Sequence, residues 1–215
     1  MAAPPDLLIA RHGEKESEAG PCNFDLRLTP AGALDVAGVA AELRARGLVP
    51  ARILTSPYPR CVQTAGLFAA ALGVPRLCVE PGLCEVQTPA VGQKGLRGPR
   101  PAWAPAELAL LAQERAPGLL LDEAYSPIVA AEEVHAELGE AGRAESQGRV
   151  ERLAAALKGG AGGLALLVTH GSIARRLADR LAPRECGTTH GEPPMGSVAV
   201  LGGGRLLEQV KPRRG

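Results

Sequence analysis

The sequence has 215 residues, enough for one well-filled domain or a core domain carrying an insertion. Apolar residues make up 46% of it and aromatic residues only 2%, so the core must be built mostly from Leu, Val and Ala. Lys and Arg (24) nearly balance Asp and Glu (23), and with so few rings to stack on bases this argues against a nucleic-acid partner.

Leu7–Ala10 is a continuous apolar run of the kind a parallel sheet buries on both faces, and it leads without a linker into Arg11-His12-Gly13-Glu14. Thr29-Pro30 opens a helix, with Thr as N-cap and Pro at the first helical position, and the stretch AGALDVAGVAAELRAR carries it to a stop at Gly47. Arg52–Thr55 reads as a second strand ending at Ser56-Pro57. A helix over about Arg60–Leu72 stops at Gly73, and a third strand follows at Leu77–Val79. Residues 86–148 break the rhythm. They are rich in Gly and Pro near 89–105, hold the only tryptophan, Trp103, and show short helical pieces such as PAELALLAQE. This stretch is expected to be an insertion capping one end of the sheet, within a single domain spanning 1–215. A helix around Gly148–Lys158 and a turn at Gly159–Gly163 lead to LALLVTHG, the most strand-like segment of the chain. The helix SIARRLADRLA comes next, and SVAVL and LLEQV form an edge hairpin across Gly202–Gly204. The alternation predicts a three-layer α/β/α sandwich with a mostly parallel central sheet.

In such a sheet ligands bind beyond the carboxyl ends of the strands. The first strand delivers Arg11 and His12 there, the second is followed by Arg60, the third by Glu85, and the strand after the insertion by His170. Each residue type has a use on a phosphate. A guanidinium fork matches two phosphate oxygens, a neutral imidazole can attack phosphorus, and a protonated carboxyl group can give its proton to the departing oxygen. The glycine after each histidine would let the chain turn tightly and bring backbone close to the ligand. Taken singly, each residue has an ordinary structural reading; the convergence is what points to a site. Zinc is disfavoured, because a third ligand with metal spacing is missing and Arg11 and Arg60 would repel a cation. No metal or other cofactor is expected. His135 and His190 read as structural or solvent-facing.

RHGE after the first strand, LTPAG at the next helix, SPYPRCVQTA after the second strand and the later THG resemble the histidine phosphatase superfamily, also called the phosphoglycerate mutase-like fold, in order and spacing across nearly the whole chain. Within it, SPYPRCVQTA, VEPGLCE, RPAWAPAELA and DEAYSP are similar to the Sts (suppressor of T-cell receptor signalling) and ecdysteroid-phosphate phosphatase branch. The resemblance implies that His12 is a nucleophile that becomes phosphohistidine. It implies that Arg11 and Arg60 bind the phosphoryl oxygens, that His170 stabilises that group, and that Glu85 donates the proton. Glu14 and Glu80 are the next acids to consider for that last role. The branch often has Arg where this chain has Lys15, which keeps the charge but loses the bidentate fork.

The function expected is therefore a metal-independent phosphomonoesterase acting on phosphotyrosine, other phosphoproteins or small alcohol and aryl phosphate esters. The alternatives are a mutase or sugar-bisphosphate phosphatase of the same fold, or a non-catalytic phospho-ligand binding domain. The resembling branch implies a homodimer, although no apolar stripe in the sequence demands one. Five cysteines (Cys22, Cys61, Cys78, Cys84, Cys186) form no CxxC pair, which points to free thiols in a reducing compartment. With no signal-peptide pattern and no apolar run near ~20 residues, a cytoplasmic location off the membrane is expected.

Overall fold

Leu7, Leu8, Ile9 and Ala10 are all buried, because β1 (Leu7–Arg11) lies inside the sheet and not at its rim. The computed structural model describes residues 5–17, 26–85, 104–137, 143–158, 163–183 and 191–213. β1 pairs in parallel with β5 (Ala165–Thr169), in a register that sets Leu7 opposite Ala165 and Arg11 opposite Thr169. On its other side β5 pairs in parallel with β2 (Arg52–Thr55), and the sheet continues in parallel through β3 (Arg76–Val79) to β4 (Leu120–Leu121). Across β1 lies β6 (Val198–Gly202), antiparallel, and β7 (Arg205–Val210) closes that edge antiparallel to β6. The order β4-β3-β2-β5-β1-β6-β7 is the mostly parallel sheet that the alternation of elements predicts.

Helices cover both faces. α1 (Pro30–Ala45) has Thr29 as its N-cap, whose hydroxyl accepts from Gly32 N at 2.9 Å. It ends where Gly47 takes a φ of 72°, a left-handed conformation that glycine alone adopts without strain. α2 (Pro59–Leu72) begins with proline at its first turn and ends at Gly73 with φ 75°. It packs between α1 and α3 (Pro105–Gln113), and the α3 contact is close at Gly66, where an added Cβ would lie 3.0 Å from Ala112 O. A short α4 (Ala131–Glu137) precedes α5 (Arg143–Lys158), which packs against α6 (Gly171–Leu181). The buried core between sheet and helices is dominated by Leu, Val and Ala, as composition requires.

Two features differ from the sequence expectation. β4 adds a parallel edge strand inside the stretch read as an insertion; two residues are too few to show a periodic pattern, and their pairing with β3 is what creates the strand. α5 starts at Arg143, several residues before the predicted helix, because a polar first turn carries no hydrophobic signal. Trp103, His190 and much of the 86–148 stretch fall outside the described residues, as do Cys22 and Cys186. Cys61, Cys78 and Cys84 are buried and form no disulfide among the described residues. Among the described residues no helix is long and apolar enough to cross a membrane.

Candidate active site

The site is assembled at the carboxyl ends of β1, β2, β3 and β5. Parallel pairing continues one step past β1: His12 N donates to Thr169 O at 2.9 Å, so His12 is fixed beside the strand that ends in His170. The two imidazoles meet edge to face with ring centroids 5.3 Å apart.

His12 is buried, and its Nδ1 lies 2.8 Å from Gly13 O. A carbonyl only accepts, so Nδ1 carries the hydrogen and Nε2 is left with the basic lone pair. Burial lowers the His12 pKa from 6.5 to about 3, helped by the charge of Arg60 and then those of Arg11 and Lys15; the Gly13 carbonyl pulls the other way. The imidazole is neutral at any ordinary pH. His170 is fully buried and its pKa is likewise held well below 6.5, by burial first and then by Arg60 and His12. Arg60 Nη2 donates to its Nδ1 at 3.2 Å, which leaves Nε2–H to donate to Ser56 Oγ at 3.0 Å.

Arg60 itself is fully buried at the start of α2. Its guanidinium lies 4.7 Å from the centre of the Tyr58 ring, and Nη2 also donates to Glu85 Oε2 at 3.0 Å. Glu85 Oε2 is 3.6 Å from His170 Nδ1, so one carboxylate oxygen sits against both the buried arginine and the second histidine. Arg11 Nη1 donates to Pro193 O at 2.9 Å and lies 3.7 Å from Glu192 Oε2. Its Nε is buried and makes no hydrogen bond, an open donor that an oxyanion would satisfy. Lys15 is held through a backbone bridge to Leu28, and its charge reaches His12. Arg11 and His12 from β1, Arg60 after β2, Glu85 after β3 and His170 after β5 thus converge from four strand ends. Among the described residues no group of His, Cys, Asp and Glu is arranged to hold a metal ion.

The post-histidine glycines work differently from the sequence reading. Neither Gly13 nor Gly171 has a positive φ, so neither is needed for a tight turn. They are needed for space. A Cβ on Gly171 would lie 2.8 Å from Arg11 Cζ and 2.7 Å from Glu192 Oε2. A Cβ on Gly13 would meet Gly32 O at 2.9 Å, and one on Gly32 would meet Glu14 O at 2.3 Å. RHG and LTPAG are two sides of one backbone contact. Thr64 then ties RHG to α2, accepting from Gly13 N at 3.1 Å and donating to Arg60 O at 2.7 Å.

Glu80, a fallback acid in the sequence reading, is removed from that role. It is fully buried, and its carboxylate accepts from Gly82 N at 2.8 Å, Tyr125 Oη at 2.7 Å, Ile128 N at 2.7 Å and Val129 N at 3.2 Å. Glu14 is bound up with the start of α1 through Thr29. Sequence reasoning missed Ser56, Tyr58 and Arg149. The last had a signal: Arg149 falls in the same helical stripe as the buried Val150, Leu153 and Ala154.

No curated protein matches the chain. Among solved structures it is similar to the ecdysone phosphate phosphatase of Bombix mori in complex with tungstate, at 18% identity and TM-score 0.65, covering 97% of this chain and 93% of that one. It is similar to the protein histidine phosphatase SixA, also with tungstate, at 17% identity and TM-score 0.56, covering 96% of both chains. A mycobacterial glucosyl-3-phosphoglycerate phosphatase follows at 21% identity and TM-score 0.53, covering 93% of this chain and 91% of that one. At such identities these likenesses establish the fold. The sequence-family match runs over residues 7–199, from the start of β1 into β6, and by it the chain belongs to the histidine phosphatase superfamily (branch 1) and is a phosphatase.

Proposed function

We propose that the protein is a metal-independent phosphomonoesterase that works through a phosphohistidine on His12. The observation that carries the reading is the state of His12: buried, neutral, with Nδ1 committed to Gly13 O, so that Nε2 is a free nucleophile beside two guanidinium groups. In the first step Nε2 attacks phosphorus, the N–P bond forms and the bond to the leaving oxygen breaks. Glu85 gives its proton to that oxygen, so the alcohol leaves neutral. Arg11 and Arg60 hold the phosphoryl oxygens, and Lys15 adds positive charge at the rim. In the second step water attacks phosphorus, its proton passes to the Glu85 carboxylate, and phosphate leaves with His12 restored. His170, packed against His12 and bonded to Arg60, stabilises the phosphoryl group between the two steps by holding those two residues in place.

The substrate class proposed is phosphotyrosine and small alcohol or aryl phosphate esters. The likeness to a phosphatase of ecdysone phosphate supports an alcohol ester within that class. The test is rapid quenching with labelled aryl phosphate. Protein-bound phosphate that survives base and is lost in acid is expected, and His12→Ala should lose both label and turnover. Substantial turnover in that variant would mean another nucleophile. A panel of nitrophenyl phosphate, phosphotyrosine and 3-phosphoglycerate locates the substrate class; preference for the last would overturn it.

A further inference from the structure

Among the described residues Arg60 and Arg149 are the two largest side chains that are fully buried. Arg149 projects from α5 among Val150, Leu153 and Ala154, all core residues. Stripping water from a guanidinium is strongly unfavourable, and an aliphatic side chain would fill the same volume more readily. Arg149 has a specific occupation instead. Its Nη1 donates to Gly82 O at 2.6 Å and to Cys84 O at 2.8 Å. Between those two carbonyls, Leu83 O accepts from Thr169 Oγ1 at 2.6 Å. The three consecutive carbonyls just before Glu85 are each gripped by a side chain from another element. Glu80 also holds this turn, through Gly82 N, and joins it to the 125–129 segment.

We propose that Arg149 is a positioning residue for Glu85: by clamping the Gly82 and Cys84 carbonyls it fixes where the carboxyl group meets Arg60 and His170. The inference rests on the reading of Glu85 as proton donor. A group that must deliver a proton along a set line is sensitive to small displacement, and a shift of about 1 Å can cost ~10²-fold in rate. Phosphoryl transfer to His12 does not use that line when the leaving group needs no proton.

The experiment measures kcat/KM on an alkyl phosphate and on nitrophenyl phosphate for Arg149→Met, Arg149→Lys, Glu85→Gln and the Arg149→Met/Glu85→Gln double variant. Arg149→Met should slow the alkyl ester by about 10–10²-fold and nitrophenyl phosphate by less than about 3-fold. Arg149→Lys should recover part of the loss, and the double variant should be little worse than Glu85→Gln alone. Equal slowing of both substrates, or full additivity in the double variant, would overturn the proposal. Should Arg149→Met fail to fold, Thr169→Val removes only the Leu83 clamp and must show the same bias toward the alkyl ester, to a lesser degree; no bias there is also refuting. If Glu85→Gln shows no leaving-group bias, the acid assignment itself is wrong and the inference falls with it. If it does and the Arg149 variants do not, only the positioning role fails.

Discussion

Taking the protein from about pH 8 to about pH 5 should destabilise it through His12, and the size of the effect follows from burial. In the unfolded chain this imidazole titrates near 6.5; in the fold its pKa is about 3. Between those values the unfolded state binds a proton that the folded state refuses, so stability is whole above 6.5 and is lost as pH falls toward 3. At about pH 5 the solvent is roughly 1.5 units into that window, which at ~1.4 kcal/mol per unit amounts to about 2 kcal/mol. His170 is shifted in the same direction and adds to the wild-type loss. The His12 share is isolated by comparison with His12→Asn, which keeps a donor for Gly13 O but cannot titrate. Urea unfolding of both proteins at the two pH values gives four free energies. The wild type should lose about 2 kcal/mol more than the variant between them, whatever the variant's absolute stability. Equal losses in the two proteins would refute the neutral, desolvated imidazole. The nucleophile would then have to be reconsidered with it.

Glu85→Gln should slow alkyl phosphates by ~10²–10⁴-fold and electron-poor aryl phosphates far less, read as kcat/KM across a leaving-group series. If all esters fall alike, Glu85 binds or supports and does not donate. Turnover should persist in EDTA, since Arg11 and Arg60 bring positive charge to His12; activity abolished by chelation and restored by a divalent ion would defeat that view. Gly32→Ala places a methyl group 2.3 Å from Glu14 O and should cost about 1–3 kcal/mol or more by thermal or urea unfolding, with a loss of turnover as RHG is displaced. A change within about 0.5 kcal/mol would mean that the contact relaxes freely.

What could be seen in the sequence was whatever is encoded locally. β1, β2 and β5 show as apolar runs because both sheet faces are buried; His12 and His170 stand out because each follows such a run at once, and Arg60 because it opens the helix after β2. Glu85 was reached by chain order, and the structure brings it to Arg60 and His170. The supports were not visible, because they are long-range. Arg149 shows in the sequence only as a charge on the apolar stripe of its helix; its partners, the Gly82 and Cys84 carbonyls, come from far along the chain. The need for Gly13 depends on where Gly32 lies, and Glu80 reads as a fallback proton donor until Tyr125 and the 128–129 amides surround it. Two-residue β4 has no pattern at all without β3 beside it.

The pairing of β1 also sets an order of events during folding. Both its neighbours, β5 and β6, come from far along the chain, with Leu7 opposite Ala165 on one side and Leu201 on the other. Closing so large a loop is slow, and contacts of this separation form late. While the polypeptide is being made, the apolar LLIAR segment emerges well before residues 165–169 and has no β5 to pair with until they appear. Until then its apolar side chains have no partner strand to cover them. His12 and His170 cannot come together before the β1–β5 ladder closes. Phosphatase turnover, measured on ribosome-released fragments or during refolding, would therefore report completion of the sheet and nothing earlier.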